Sequence, residues 1–288
     1  MRKRFTADYY GHERYHGYAS LPENALPLTR RELFYLGGGV AIGALTSCAL
    51  NLLLPNDDCS SEMQLTTQAS NTSADNTTQD SAEPVTLESL PWNLQLVNKS
   101  HYLEDENAIG ELKVLPDKSW TDVSRGLQVD SRILESLCSM MDAAQKEGVS
   151  PLVCSAYRTF EYQGGLYQRR VQKARDDGYT DAEAEASFWV APPGASEHHT
   201  GLALDIVDAS YTNLDEDQET TRAQKWLMAN CDQFGFILRY PTNKSKATGI
   251  GYEPWHYRYV GEETASTIKA SGLCLEEWLA QEYGVVDI

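Results

Sequence analysis

The sequence predicts an α+β fold for the C-terminal two-thirds of this 288-residue chain. Several segments place apolar residues at helical spacing, and the segments between them show the shorter alternation that is typical of β-strands. The strands are few and not adjacent in the sequence, so helices are expected to surround a small sheet. Apolar residues make up 41% of the chain and aromatic residues 10%, which is enough for a core in part of it.

The N-terminal residues predict an export segment that precedes this fold. Residues 1–32 are polar and basic, whereas Leu33–Leu54 is almost wholly apolar and carries no charge. An apolar stretch of about 20 residues can span a hydrocarbon core about 30 Å thick. Because the basic residues lie on its N-terminal side, we expect residues 1–32 in the cytoplasm and the rest outside.

Three kinds of export signal fit this segment. A single-pass signal-anchor in the cell membrane uses the full apolar length. Thr29–Phe34 resembles a twin-arginine signal, and Leu45–Cys48 resembles a lipoprotein signal that ends in a lipid-modified Cys48. Apolar residues continue beyond Cys48 to Leu54, which favours the signal-anchor. Each alternative places the C-terminal part outside the cytoplasmic membrane.

Residues 55–91 predict a disordered extracytoplasmic linker. They are rich in Ser, Thr, Asn, Gln and Asp, and such a segment cannot bury enough apolar surface to offset its ordering entropy. One folded domain is expected at 92–288, a usual size for a single domain. The net charge of −18 argues against a nucleic-acid partner, because nucleic-acid recognition needs a basic face. We expect a monomer.

The cysteines leave two interpretations open. No pair has the spacing of a structural zinc site built from cysteines. The four in the domain fit either extracytoplasmic disulfides or small buried apolar side chains: Cys138, Cys154, Cys231 and Cys274.

Periodicity and end signals define the elements of the domain. The first helix carries Ile133, Leu137 and Met141 on one face and ends before Gly148. The last opens with two glutamates, which suit a helix N-terminus. In chain order we predict a helix at Val129–Lys146, a strand at Leu152–Tyr157, helices at Phe160–Asp177 and Asp181–Ser187, a strand at Thr200–Val207, a helix at Thr221–Phe234, a strand at Trp255–Val260, and helices at Glu262–Ala270 and Leu275–Tyr283.

Two short motifs predict a catalytic zinc site. One reads SEHHTGLALD and contains His198 and Asp205, and the other reads EPWH and contains Glu253 and His256. Two imidazoles and one carboxylate leave a fourth tetrahedral position open, as in catalytic rather than structural zinc sites. Zinc lowers the pKa of bound water to about 7. Glu253 is then the natural proton acceptor.

Strand alternation favours Asp205 over Asp208 as the third ligand. One face of the strand carries apolar side chains suited to the core: Leu202, Leu204 and Ile206. The other face presents a glycine and an alanine beside Asp205, which leaves room for a metal and a substrate. His198 stands just before the strand, where its ring can fold back over that face. We expect its neighbour His199 to line the pocket or point outward.

A third segment, SAYRT, places Arg158 at a strand-to-helix transition. A guanidinium there can hold a carboxylate through two hydrogen bonds or stabilise an oxyanion.

With these motifs the chain resembles the VanY-type D-alanyl-D-alanine carboxypeptidases, zinc peptidases of the wider lysostaphin and hedgehog group. Further segments follow in the same order across the domain: Leu96–Lys99, Ser155–Arg158, Pro192–Gly194, Gly235–Pro241, Lys246–Gly249 and Tyr259–Gly261. The resemblance implies a small antiparallel sheet that carries the zinc site and is flanked by helices.

The resemblance also implies roles for individual residues. Zn²⁺ would be bound by His198, Asp205 and His256, with Glu253 as the base and Arg158 in contact with the substrate or transition state. The residues expected to shape the substrate pocket are Ser155, Gln163, Ser196 and Trp255. His199 departs from the family pattern, which usually has Gln there.

The expected function is removal of the terminal D-alanine from peptidoglycan stem peptides by a membrane-tethered enzyme. The sequence leaves open an LD-carboxypeptidase, a DD-dipeptidase or an endopeptidase acting on the same wall peptides. A non-catalytic wall-binding module that keeps zinc is a further alternative, against which intact Glu253 and Arg158 argue.

Overall fold

The computed structural model describes residues 86–105 and 110–284. The N-terminal segment, the apolar segment at 33–54 and the linker up to residue 85 lie outside these ranges, so the interpretations made for them stay predictions. Within the described ranges, no helix combines the length and the apolar character that a membrane crossing requires.

A four-stranded antiparallel sheet forms the centre of the fold, in the strand order β3–β4–β6–β5. Its strands are β3 (Pro151–Ser155), β4 (Ala203–Asp208), β5 (Phe236–Tyr240) and β6 (Glu253–Tyr259). A separate antiparallel pair joins β1 (Leu112–Val114) to β2 (Gln128–Asp130). Helices flank the four-stranded sheet, which confirms the predicted α+β class.

The described α-helices are α1 (Leu134–Lys146), α2 (Phe160–Asp176), α3 (Ala182–Trp189), α4 (Arg222–Asn230), α5 (Ser245–Thr248), α6 (Glu262–Ser271) and α7 (Leu275–Tyr283). Short 3₁₀ turns lie at Leu87–Ser89, Trp92–Leu94, Val123–Arg125, Ser131–Ile133, Glu197–Thr200, Glu216–Thr220 and Cys231–Phe234.

The first predicted helix begins too early. Val129 lies in β2, and α1 starts only at Leu134 after the 3₁₀ turn Ser131–Ile133. The carboxylate of Asp130 accepts a hydrogen bond from the Arg132 backbone N–H, which caps that turn and separates strand from helix.

The predicted helix over Thr221–Phe234 also divides into two parts. α4 ends at Asn230, and a 3₁₀ turn continues to Phe234, where Gly235 takes a left-handed φ of 81°. The apolar segment that follows is β5, a strand that the sequence interpretation did not assign. Its five residues are too few for their spacing to separate a strand from a helical turn.

The main hydrophobic core lies between the sheet and the helices α1 and α4. Leu202, Leu204 and Ile206 are buried in it, as strand alternation predicts, together with Leu137 of α1 and Leu227 of α4. Asp205 points to the opposite side of the same strand. The sheet therefore separates an apolar face from a face that carries polar groups.

A second apolar cluster holds α6 and α7 against the sheet. Val260, Ile268 and Leu279 belong to it, and Leu87 and Leu90 pack against its edge. Ordered packing thus begins before Trp92.

All four described cysteines are free thiols. Cys154, Cys231 and Cys274 are buried, and Cys138 is half-buried. Burial raises the pKa of both the Cys231 and the Cys274 thiol to about 12. Of the two open interpretations, the structure supports small buried apolar side chains.

Candidate active site

The site is built around Asp205, at the middle of the sheet. In the strand register Asp205 lies opposite Ser155 of β3 on one side and His256 of β6 on the other. His198 comes from the 3₁₀ turn Glu197–Thr200, which directly precedes β4. The three predicted metal ligands therefore come together on the polar side of the sheet.

An irregularity in β6 brings Glu253 to the same side. Leu238 pairs with Tyr257, and Tyr240 pairs with Glu253. Between these two pairs β5 advances by two residues and β6 by four, so β6 contains two extra residues. Under strict alternation, residues three apart in a strand point to opposite faces. The extra residues re-aim the chain as a β-bulge does, and Glu253 Oε2 lies 3.5 Å from His256 Nδ1.

The geometry of the three ligands fits a zinc ion. Asp205 Oδ1 lies 3.4 Å from both His198 Nε2 and His256 Nδ1, and all three ligand atoms lie within 4.8 Å of one another. Donor atoms about 2.0–2.2 Å from a tetrahedral zinc are about 3.3–3.6 Å apart. Asp205 Oδ1 is buried and accepts no hydrogen bond from the described residues, which a bound cation would explain.

The protonation of His198 also suits a metal, whereas His256 would have to give up a proton to bind one. His198 Nδ1 lies 2.7 Å from the Ala156 carbonyl oxygen, so this nitrogen carries the proton and Nε2 presents its lone pair. Burial and the nearby Arg158 lower the pKa of His198 to about 4, which keeps the ring neutral. For His256, burial acts in the same direction, but the carboxylates of Asp205 and Glu197 outweigh it and raise its pKa to about 9.

Arg158 is held in place from three sides. Its Nε donates to Ser155 Oγ at 2.9 Å, Nη1 donates to Gln163 Oε1 at 3.3 Å, and Nη2 is paired with Asp205 Oδ2. Asp205 can therefore offer Oδ1 to a metal while Oδ2 stays paired. Arg158 also lines the cleft, where its remaining surface faces any bound substrate.

Glu253 lies in the cleft wall with its side chain 10% exposed. Burial raises the pKa of Glu253 to about 8. A carboxyl group whose pKa lies near neutrality can both take up and return a proton.

A cleft that is open to solvent lies above the ligand cluster. It is lined by all but one of the residues predicted for the site. The exception is Ser155, which contacts Arg158 and is not part of the wall. The rest of the wall comes from residues to which the sequence interpretation gave no site role: Trp189, Val190, Ala191, Tyr240 and Ile250.

The expectation for His199 was wrong, because its ring is buried and lies outside the cleft wall. Its Nδ1 lies 2.7 Å from the Arg158 carbonyl oxygen, and its Nε2 accepts from the Gly194 N–H at 3.1 Å. The ring also packs on Phe160 at 4.2 Å between centroids. His199 therefore ties the loop at Gly194 to the segment that carries Arg158.

Sequence reasoning missed Glu197, which is buried beside the ligand cluster. Its Oε1 accepts hydrogen bonds from Arg239 and Arg258, each at 2.7 Å, and its Oε2 lies 3.4 Å from His256 Nε2. The signal was indirect: Arg239 and Arg258 interrupt two apolar strand segments, and a buried guanidinium needs a carboxylate partner.

The chain is similar in sequence to known D-alanyl-D-alanine carboxypeptidases. A family model described as VanY, D-alanyl-D-alanine carboxypeptidase, matches residues 126–262. The chain is 43% identical over 194 residues to a D-alanyl-D-alanine carboxypeptidase of Enterococcus faecalis. That match covers 66% of this chain and 67% of the relative.

Solved structures show the same fold. VanYB in complex with D-alanine-D-alanine superposes with a TM-score of 0.58 at 42% identity, over 67% of this chain and 99% of that one. A VanY mutant from a VanB-type resistance cassette, in complex with Zn(II), gives 0.57 at 41% identity, over 66% and 99%. The LD-carboxypeptidase LdcB gives 0.57 at 35% identity, over 68% and 92%.

Proposed function

We propose that this chain, which belongs to the VanY family of D-alanyl-D-alanine carboxypeptidases, is a zinc peptidase that removes the terminal D-alanine from peptidoglycan stem peptides. The observation that carries the proposal is the buried group of His198, Asp205 and His256, with Glu253 beside it in one cleft. A zinc ion held by these three ligands would act as a Lewis acid and lower the pKa of a bound water.

The protein residues have distinct parts in this reaction. Glu253 takes a proton from the attacking water while the new C–O bond forms, and it passes that proton to the leaving amine as the C–N bond breaks. Arg158 faces the cleft and stabilises negative charge on the substrate carbonyl oxygen or carboxylate. Ser155 and Gln163 hold the Arg158 guanidinium for this task.

The remaining wall residues bind the peptide. Ser196 and Trp255 line the cleft next to the ligand cluster, and Trp189, Tyr240 and Ile250 complete its wall. Aromatic and aliphatic walls with a few polar groups are usual for sites that bind small ligands.

An LD-carboxypeptidase is the second candidate, because LdcB has the same fold at 35% identity. The deciding experiment gives the zinc-loaded full chain two substrates in parallel: a pentapeptide ending in D-Ala-D-Ala, and a tetrapeptide ending in an L-centre followed by D-Ala. Release of D-alanine from the pentapeptide alone supports the proposal, and release from the tetrapeptide alone supports the alternative. If no release depends on zinc, the chain is not a zinc carboxypeptidase, and peptide binding without turnover would indicate a wall-binding module.

We also infer that the catalytic domain works outside the cytoplasmic membrane, attached through the N-terminal apolar segment. The basic residues before Leu33 and the uncharged length of Leu33–Leu54 support this, as does a substrate that lies in the cell wall. We expect protease added to intact spheroplasts to digest the catalytic domain of the full chain. A protected domain would contradict this orientation.

The mass of the mature chain separates the export alternatives. An intact N-terminus indicates a signal-anchor, a lipid-modified Cys48 at the new N-terminus indicates a lipoprotein, and an unmodified shorter chain indicates a cleaved signal.

A further inference from the structure

We propose that Glu197 is a positioning residue that orients His256 for metal binding. Its Oε2 would accept a hydrogen bond from His256 Nε2–H, so that Nδ1 faces the other ligands. Both atoms are buried and lie 3.4 Å apart, and neither has a hydrogen-bond partner among the described residues. Buried polar atoms are almost always paired, so each is the natural partner of the other. This inference rests on the proposed zinc site.

The Glu197 carboxylate is fixed in direction by two arginines from different strands. Arg239 Nε of β5 and Arg258 Nη1 of β6 both donate to Oε1 at 2.7 Å. Since Oε1 is held in this way, Oε2 projects toward His256. The Tyr240 ring, 4.8 Å from the His256 ring between centroids, covers the pair.

The charges of the buried group formed by Arg239, Arg258, Glu197 and Glu276 balance without the metal. Arg239 also donates to both oxygens of Glu276, at 2.6 and 2.8 Å, so two guanidinium groups face two carboxylates. Arg239, Arg258, Glu197 and Glu276 are all buried. Glu197 is therefore ionised and can only accept a hydrogen bond.

An acceptor at this position determines which nitrogen of His256 binds the metal. With the proton on Nε2, the lone pair on Nδ1 points toward Asp205 Oδ1, 3.4 Å away. His198 has the opposite arrangement, because the Ala156 carbonyl oxygen holds its Nδ1–H and leaves Nε2 for the metal. The Ala156 carbonyl oxygen thus determines which nitrogen of His198 is free for the metal, and Glu197 does the same for His256.

Glu197→Gln tests this role without changing the shape of the side chain. Both arginines require an acceptor, so the amide oxygen stays with them and the amide NH₂ turns toward His256 Nε2. A donor there moves the ring proton to Nδ1, where it opposes metal binding. We expect a 10- to 100-fold loss of zinc affinity, the usual range for such partners, measured on the full chain by competition with a chromophoric chelator.

Glu276→Gln is the matched control. It removes the same charge from the same buried group, but Glu276 contacts Arg239 and not His256. We expect its zinc affinity to match that of the wild type. Equal losses in both variants, or wild-type affinity in Glu197→Gln, would overturn the inference. A wild-type chain that binds no zinc would refute the proposed function instead.

Nitrogen-15 NMR of the zinc-loaded wild-type chain, labelled at histidine, keeps the inference testable if Glu197→Gln fails to fold. We expect His256 to carry its proton on Nε2, in a hydrogen bond to a carboxylate, and its metal on Nδ1. A metal on Nε2 would show that Glu197 has no part in orienting the ring.

Discussion

Glu253 is placed to act as a base by its distance from the ligand cluster and by its position in the cleft wall. We expect Glu253→Gln to lower kcat by about 10²- to 10⁴-fold, the range that general acid–base groups contribute. Zinc should still bind, because the variant keeps His198, Asp205 and His256. Release of D-alanine and bound zinc are measured on the same sample.

Glu263→Gln is the control for that experiment, since it makes the same change on the exposed surface of α6 and should leave both quantities unchanged. Substantial turnover in Glu253→Gln would assign the proton transfer to another group.

The buried hydrogen bonds of His199 lead to a prediction about the stability of the fold. In His199→Phe a similar ring would pack on Phe160, but the Arg158 carbonyl oxygen and the Gly194 N–H would each lose a buried partner. We expect a loss of about 1–3 kcal/mol for each unsatisfied group, measured by urea unfolding.

His199→Gln should be much milder. Its amide NH₂ can donate to the Arg158 carbonyl oxygen while its oxygen accepts from the Gly194 N–H. If both variants were equally stable, the two hydrogen bonds would have no part in holding this loop.

At the level of elements, the turn between His198 and β4 determines how the ligands meet. Gly201 has a φ of 71°, and a Cβ on it would lie 2.8 Å from the Asp130 backbone nitrogen. Gly201→Ala therefore adds a clash with backbone to the cost of about 1–2 kcal/mol that a left-handed residue has in any case. We expect lower stability in urea and, since the turn carries His198, weaker zinc binding.

Gly272→Ala separates the two contributions. Gly272 has a similar φ of 68°, but a Cβ on it would meet no described residue within 4 Å apart from its chain neighbours, so only the backbone cost applies. Equal destabilisation by the two substitutions would show that the approach to Asp130 is unimportant.

The sequence predicted the face on which Asp205 lies because alternation along a single strand is a local property. The apolar positions at Leu202 and Leu204 direct Asp205 to the other face whatever the rest of the chain does. The α+β class followed from the same kind of pattern.

The position of Glu253 could not be derived in this way. It depends on the two extra residues of β6, and a bulge is defined only by the partner strand, here β5, which local spacing did not identify. Glu197 was missed for a related reason, because its partners Arg239 and Arg258 are distant in sequence and only the assembled sheet brings them together.

At the scale of the whole molecule, the zinc site and the main core are separate. Leu137, Leu204 and Tyr257 belong to the main core, whereas Asp205 and His256, the strand neighbours of Leu204 and Tyr257, lie on the opposite face of the sheet. Asp205 Oδ2 is also paired with Arg158, which does not depend on the metal. We therefore expect the chelated chain to stay folded, with an unchanged far-UV circular dichroism spectrum and no peptidase activity.

Zinc should nevertheless raise the melting temperature, because the ligands converge only in the folded state. Free zinc at about 1,000 times its Kd stabilises a folded protein by about 4 kcal/mol. In a domain of this size that corresponds to a rise of about 8–16 °C, measured by scanning calorimetry with and without zinc. Asp205→Asn should lose the rise, whereas Asp208→Asn should keep it, since Asp208 lies in the same strand but bonds Ser210 and Ala223 instead. A chelated chain without cooperative unfolding would mean that the metal is structural and that the core alone does not hold the fold.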